Sequence, residues 1–435
     1  MRRTILMLFF AAFILSLSPI AAQSAESEKD KRPNILFIAV DDLRPELGCY
    51  GHPLIKSPNI DRLAAEGTMF NHAYCMVSVC GASRASMMTG IRPTYTRFVN
   101  YMTRASEDTP DAVTMNSYFK NQGYYTLNNG KMFHHADDNN AGWCEPAWRP
   151  QGSGPGFASF ALPENQKLQK ETGNTRGVPY ECADVADNEY RDGKTTDKSI
   201  DDLRRLAKMD QPFFLAVGFL KPHLPFIAPK KYWDLYQRDE IPMAPNPLPP
   251  KGAPKIASTN WSELRAYHDI PELGPLTEEQ AKTLKHGYYA CVSYVDAQIG
   301  RVVDELDRLG LSENTVIVLW GDHGWKLGEH GMWCKHTNFE NDANAPLICV
   351  APGQKSPSSH TRALVEFVDI YPSLCELADI DAPSHVEGTS FAPLLDDPEQ
   401  SWKSAAFSQY PRGAGTMGYS IRTDRFRFTR WLDKS

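Results

Sequence analysis

No internal repeat and no low-complexity tract runs through the 435 residues, which excludes solenoids, propellers and collagen-like arrays. Positive charge is in deficit. Lys and Arg number 46 against 53 Asp and Glu, for a formal net charge of −7, which argues against nucleic acid as a partner. An anionic substrate must therefore be met by local positive charge. The tight Cys/His spacing of a zinc site is missing too; Cys334-Lys335-His336 is the nearest case and a poor one. Past the N-terminus, no apolar stretch is long enough to span a bilayer.

What is present is ordinary globular usage, 42% hydrophobic and 23% charged. This length suits one large domain with a smaller one. The 32 prolines and 29 glycines indicate many ordered loops. Residues 1–22 read as a cleavable signal peptide: Arg2 and Arg3, an apolar run from Ile5 to Leu17, then Ile20-Ala21-Ala22. A secreted or periplasmic protein is expected, one whose disulfides are permitted but not assigned. Of nine cysteines, Cys291 and Cys349 read as buried thiols, and Cys144 with Cys182 is the one bridge entertained.

Continuous apolar runs mark strands buried on both faces: Asn34 to Val40, Tyr124 to Leu127, Phe213 to Val217, Thr315 to Trp320 and Pro346 to Val350. Helices are expected from Ser57-Pro58 to Gly67, Ala112 to Asn121, Thr195 to Lys208, Thr277 to Leu309 with a break near Gly287, and Asp369 to Ala378. Residues 141–193 form a long irregular segment, expected to supply most walls of a site. Tyr419 to Trp431 is strand-like. Strands alternating with helices give an α/β fold with a mixed, mostly parallel central sheet flanked by helices. The expected division is 33–395 for this domain and 396–435 for a smaller, partial α+β subdomain.

Polar residues gather just past the strands. Asp41-Asp42 follows the first, Lys131 and His134 the second, His223 the third, and Asp322-His323 with Lys335 the fourth. The stretch 79–90 reads as a small-residue turn feeding a short helix stopped at Gly90, with Cys80 at its start and Arg84 one turn on. Such ends converge in an open α/β sheet. Singly each residue has a bland reading: a helix cap for the acids, surface or loop positions for Lys131 and His134, a packed thiol for Cys80. Together the acids suit a hard cation such as Ca²⁺ or Mg²⁺. With a nucleophile at 80 and a His to protonate a leaving group, the set suits ester cleavage at a tetrahedral anion.

Residues 80–90, Cys-Gly-Ala-Ser-Arg-Ala-Ser-Met-Met-Thr-Gly, resemble the signature of the type I (formylglycine-dependent) sulfatases, although Ala82 stands where many relatives have Pro. Asp41-Asp42-Leu43-Arg44-Pro45, Gly130-Lys131-Met132-Phe133-His134, Lys221-Pro222-His223, Asp322-His323-Gly324-Trp325, Leu327-Gly328-Glu329-His330-Gly331 and Ser408-Gln409-Tyr410-Pro411-Arg412 extend the resemblance over nearly the whole mature chain. Asp-His at 322–323 is similar to the iduronate-2-sulfatase branch. The resemblance implies a sulfuric ester hydrolase acting on O-sulfate, 2-O-sulfate by this branch, of a uronic-acid-containing glycan. It implies Cys80 oxidised to formylglycine (3-oxoalanine) by a formylglycine-generating or anaerobic sulfatase-maturing enzyme. It implies Ca²⁺ on Asp41, Asp42, Asp322, His323 and the modified residue 80. Arg84 and Lys131 would hold the formylglycine hydrate and sulfate oxygens, and His134 would bond the hydrate. His223 and Lys335 would bind the ester sulfate, His223 protonating the leaving oxygen. Trp325 resembles a wall of the sugar pocket, whereas Arg412 matches in sequence with a structural role expected. Two rival readings are a phosphoesterase or phosphonate-ester hydrolase, and a secreted glycan-binding protein in which Cys80 stays a thiol.

Overall fold

The computed structural model describes residues 32–150, 159–171, 176–413 and 415–433. The expected signal peptide, residues 1–22, lies outside the described residues. Every residue of β1 (Asn34–Val40) is buried. Ile35, Phe37 and Ala39 enter one core with Val318 and Trp320, while Leu36, Ile38 and Val40 enter a second core with Val292 and Val295. A strand with a core on each face needs apolar residues at consecutive positions, not alternating ones.

Six strands join β1 in one sheet: β2 (Thr68–Phe70), β3 (Tyr125–Gly130), β4 (Phe213–Phe219), β5 (Thr315–Gly321), β6 (Leu347–Val350) and β7 (Ser359–Thr361). Their order is β7-β2-β6-β5-β1-β4-β3. Neighbours run parallel, except that β6 is antiparallel to both β2 and β5. Helices cover both faces. α1 (Pro58–Glu66), α3 (Arg191–Leu206) and α5 (Glu278–Arg308) bury Leu63, Leu203 and Val295 in one core. α2 (Cys80–Thr89) and α6 (Ile370–Leu377) bury Met88 and Leu374 in the other. A four-residue helix, α4 (Ser262–Arg265), precedes α5. The sheet is thus mixed and mostly parallel, as the alternation of elements implies.

Several boundaries differ from expectation. α5 runs unbroken through Gly287. A Cβ there would come within 2.9 Å of Phe226 Cβ and Trp233 Cη2, so glycine serves close packing rather than a break. α3 starts at Arg191, before Gly193, because Asp192 accepts the backbone N–H groups of Leu220 and Lys221 at 2.9 and 2.7 Å and ties the helix start to the exit of β4. The helix expected from Ala112 begins at Met115. Residues 419–431 form a hairpin, β9 (Thr416–Arg422) and β10 (Arg427–Asp433), paired with β8 (Ala406–Arg412) in an antiparallel sheet. Cys144 and Cys182 are not bridged: Cys144 Sγ lies 3.5 Å from Thr126 Oγ1, Cys182 is exposed, and all nine cysteines are free.

Candidate active site

β1, β4 and β5 end at one level, with Val40 opposite both Phe219 and Gly321 and with Gly130 of β3 opposite Gly218. Asp41, Asp322 and Lys131 therefore leave the same edge of the sheet. Asp41, Asp42, Asp322 and His323 are wholly buried there. Carboxylate oxygens from the three acids lie within 4.8 Å of one another, as do ligand atoms of Asp42, Cys80 and His323. Buried acids this close need positive charge beside them. Three oxygen donors with one imidazole suit a hard divalent cation, so the donor set fits the expected ion class.

α2 opens at Cys80, with Val79 extended before it and left-handed Gly90 (φ 68°) closing it. Cys80 Sγ sits 3.3 Å from His323 Nε2. Burial and then Asp41 hold its thiol well above the ordinary range, so it stays protonated. One turn on, fully buried Arg84 joins three strand exits. Its Nε donates to Asp322 Oδ2 at 2.8 Å, Nη2 to Asp41 Oδ1 at 3.4 Å, and Nη1 to the carbonyls of Lys131 and Met132. Lys131 Nζ donates to Asp41 Oδ2 at 2.5 Å. Although burial opposes it, Lys131 with its cationic neighbours holds Asp41 well below the carboxylate range. Burial pushes Asp42 up to about 7 against the pull of Lys335.

Above this floor opens a cavity of about 760 Å³, lined by Cys80, His134, His223 and Lys335 among others. His223 Nδ1 faces the Leu224 carbonyl at 2.5 Å. Lys221 Nζ ties down the carbonyls of His223 and Pro225 at 2.5 and 2.6 Å, bracing that loop. Burial and the nearby Lys131 push His134 down to about 2, so its ring is neutral. Lys335 Nζ donates to Asp42 Oδ1 and Oδ2 at 3.0 and 3.1 Å.

Ten of the eleven residues singled out in the sequence thus form the floor or the lining. Trp325 is the exception. Its ring is fully buried beneath the Lys335 ammonium, 4.7 Å from it, and is not among the lining residues. The walls also depart from expectation: among the described residues of 141–193, only Arg176 lines the cavity. The rest of the wall comes from Asn100-Tyr101, from 258–267, from His336, and from Tyr410 and Arg412. Glu263 on α4 was not foreseen. Its Oε1 accepts from Lys335 Nζ at 3.0 Å and lies 3.3 Å from His223 Nε2. Burial would raise its carboxyl, but Lys335 and His223 hold it well below the usual range. No strand end or motif marks Glu263; only the fold brings it here.

The family described as Sulfatase matches residues 33–380, and one described as N-sulphoglucosamine sulphohydrolase, C-terminal, matches 328–435. Iduronate 2-sulfatase of Mus musculus is 33% identical over 98% of this chain and 89% of its own length. Among solved structures, one in complex with D-glucosamine-2-N,6-O-disulfate superposes with a TM-score of 0.70 at 23% identity, covering 92% of this chain and 91% of that one. A phosphonate monoester hydrolase of Agrobacterium radiobacter also reaches 0.70, at 22% identity, with 92% and 89% covered. At that identity both structures speak for the fold alone, whereas the sequence matches run through Cys80, Lys131 and Asp322: the chain belongs to the sulfatase family and is a sulfuric ester hydrolase.

Proposed function

We propose that this sulfatase is exported and removes O-sulfate, at the 2-position, from uronic-acid-containing glycans, using formylglycine formed from Cys80 and Ca²⁺ held by Asp41, Asp42, Asp322 and His323. One observation carries the reading. Cys80 starts a buried helix at the floor of a cavity that also presents His134, His223 and Lys335. A thiol kept protonated in that position is a poor nucleophile. Formylglycine, as its hydrate, would supply a hydroxyl nucleophile there, and the cation would supply positive charge among the three acids. The likeness to an iduronate 2-sulfatase over almost the full chain favours a 2-O-sulfated uronate.

In this reading the chain's own groups divide the work. Arg84 and Lys131 orient residue 80 and the sulfate oxygens from below, as a rigid fork and a point charge. Lys335 Nζ and His223 Nε2 hold the ester from the cavity side. His223 in its imidazolium form, favoured by Glu263 at 3.3 Å from Nε2, delivers a proton from Nε2 to the departing sugar oxygen and keeps its Nδ1–H on the Leu224 carbonyl. Neutral His134 bonds the nucleophile and helps release sulfate.

The test uses the chain co-expressed with a sulfatase-maturing enzyme. The peptide carrying position 80 is weighed and treated with an aldehyde-reactive hydrazide, and sulfate release is followed on defined sulfated disaccharides. The expected result is a labelled aldehyde, with fastest release from a 2-O-sulfated uronate. Full turnover with an intact thiol, or phosphate release alone from paired aryl esters, would overturn it.

A further inference from the structure

We propose that Glu263 is a specificity residue that matches the cavity to singly charged esters and rejects doubly charged ones. The inference rests on the reading above, that Lys335 and His223 hold the ester sulfate.

Both groups that would take the ester already face this carboxylate, at 3.0 and 3.3 Å. Asp42 also accepts from the Lys335 ammonium at 3.0 Å, but it belongs to the acids that would hold the cation. On this wall Glu263 therefore offsets one of the two positive charges that Lys335 and a protonated His223 would present to the ester. The second oxygen, Oε2, is buried and has no hydrogen-bond partner among the described residues, where the nearest cationic candidate, His336 Nε2, is 3.9 Å away. Burial and the nearby Lys335 push His336 down to about 3, so that ring is neutral and Oε2 stays uncompensated. The carboxylate is also fixed in place. Arg176 Nη1 donates to the Glu263 carbonyl at 3.0 Å, buried Leu264 anchors the next position, and Arg265 lies 3.3 Å over the buried Trp261 ring.

A sulfate ester and a phosphate monoester are both tetrahedral and differ little in shape. They differ in charge: the sulfate ester carries one negative charge, the phosphate monoester nearly two at neutral pH. Shape therefore discriminates poorly between them, and a fixed like charge at a few Å discriminates well. With Glu263 in place this wall keeps about one net positive charge, which matches a monoanion and under-compensates a dianion.

The experiment compares kcat/KM for nitrophenyl sulfate, nitrophenyl phosphate and nitrophenyl phenylphosphonate in wild type and Glu263→Gln, both matured and metal-loaded. The phosphonate ester has a phosphorus centre but one charge, which separates charge from element. Glu263→Gln is expected to raise the phosphate-to-sulfate ratio by about tenfold and to leave the phosphonate-to-sulfate ratio within about twofold. Where phosphate turnover is too slow to measure, competitive inhibition constants of phenyl phosphate and phenyl sulfate give the same ratio. Glu263→Ala must move it in the same direction, and it serves alone should Gln not fold. An unchanged ratio, or an equal rise for the phosphonate ester, refutes the proposal. Lys335→Ala keeps the two failures apart: a raised KM for the sulfate ester with an unchanged Glu263→Gln ratio rejects the role of Glu263 only, whereas an unchanged KM rejects the sulfate seat itself.

Discussion

Glu329 lies outside the reacting set yet braces it, and it offers a quantitative test. Its Oε1 accepts from Arg44 Nη2 at 2.9 Å and its Oε2 from the Leu327 backbone N–H at 2.7 Å. Arg44 follows the Asp41-Asp42 pair, and its backbone N–H donates to Tyr288 Oη, which in turn donates to the Asp42 carbonyl at 2.9 Å. The pair therefore ties the loop after β1 to the loop carrying Leu327 to Gly331. Burial would raise the Glu329 carboxyl, but Arg44 and the Leu327 N–H outweigh it and hold it at about 2 against an ordinary 4.5. A depressed carboxylate stabilises the folded state fully above pH about 4.5, progressively less as pH falls, and not at all below about 2. A displacement of that size corresponds to about 3 kcal/mol, an upper bound because Arg44 Nη2 keeps Glu46 Oε1 at 2.7 Å when the Glu329 charge is removed. Glu329→Gln should therefore lose up to about 3 kcal/mol in urea unfolding at pH 7. It should also flatten the decline of stability between pH 4.5 and 2. A loss under ~1 kcal/mol with an unchanged acid limb would show that the pair is not the brace described.

Three further outcomes are expected. Cys80→Ala should lower kcat by about a thousandfold or more while unfolding within about 1 kcal/mol of wild type, because the side chain borders the cavity and its loss seals no new void; rates near wild type would place the nucleophile elsewhere. Chelation should lower the melting temperature. At a hundredfold excess over Kd, added Ca²⁺ should stabilise by about 2.7 kcal/mol, and Asp322→Ala should abolish that shift in differential scanning fluorimetry. Gly287→Ala should destabilise by about 1–3 kcal/mol through overpacking against Phe226 and Trp233, whereas a helix interrupted at this point would gain from alanine; urea unfolding decides the sign.

How much was legible in the sequence follows from where each signal resides. Apolar runs such as Ile35 to Val40 report burial on both faces directly, so the central strands and the sense of the sheet could be read. Asp41, Lys131 and Asp322 could be read as a group because parallel strands deliver their C-terminal ends to one edge. Local periodicity says less about boundaries. Gly287 looks like a helix break and the next helix upstream is expected only from Thr195, yet Gly193 and Gly287 both lie inside helices at close approaches to other segments, a contact the linear chain does not display. Trp325 shares a motif with Asp322 and His323, but the turn after β5 sends its ring under Lys335 rather than into the cavity. Glu263 had no signal at all: it follows a proline-rich excursion, on a helix of one turn, far in sequence from Lys335 and His223. Its omission biased the charge reading in one direction. Counting the strand-end residues together with a divalent cation leaves a surplus of about two positive charges, suited to any tetrahedral anion. With Glu263 on the wall the surplus shrinks by one charge at the position where an ester would bind, and that reduction separates a seat for a monoanion from a seat for a dianion.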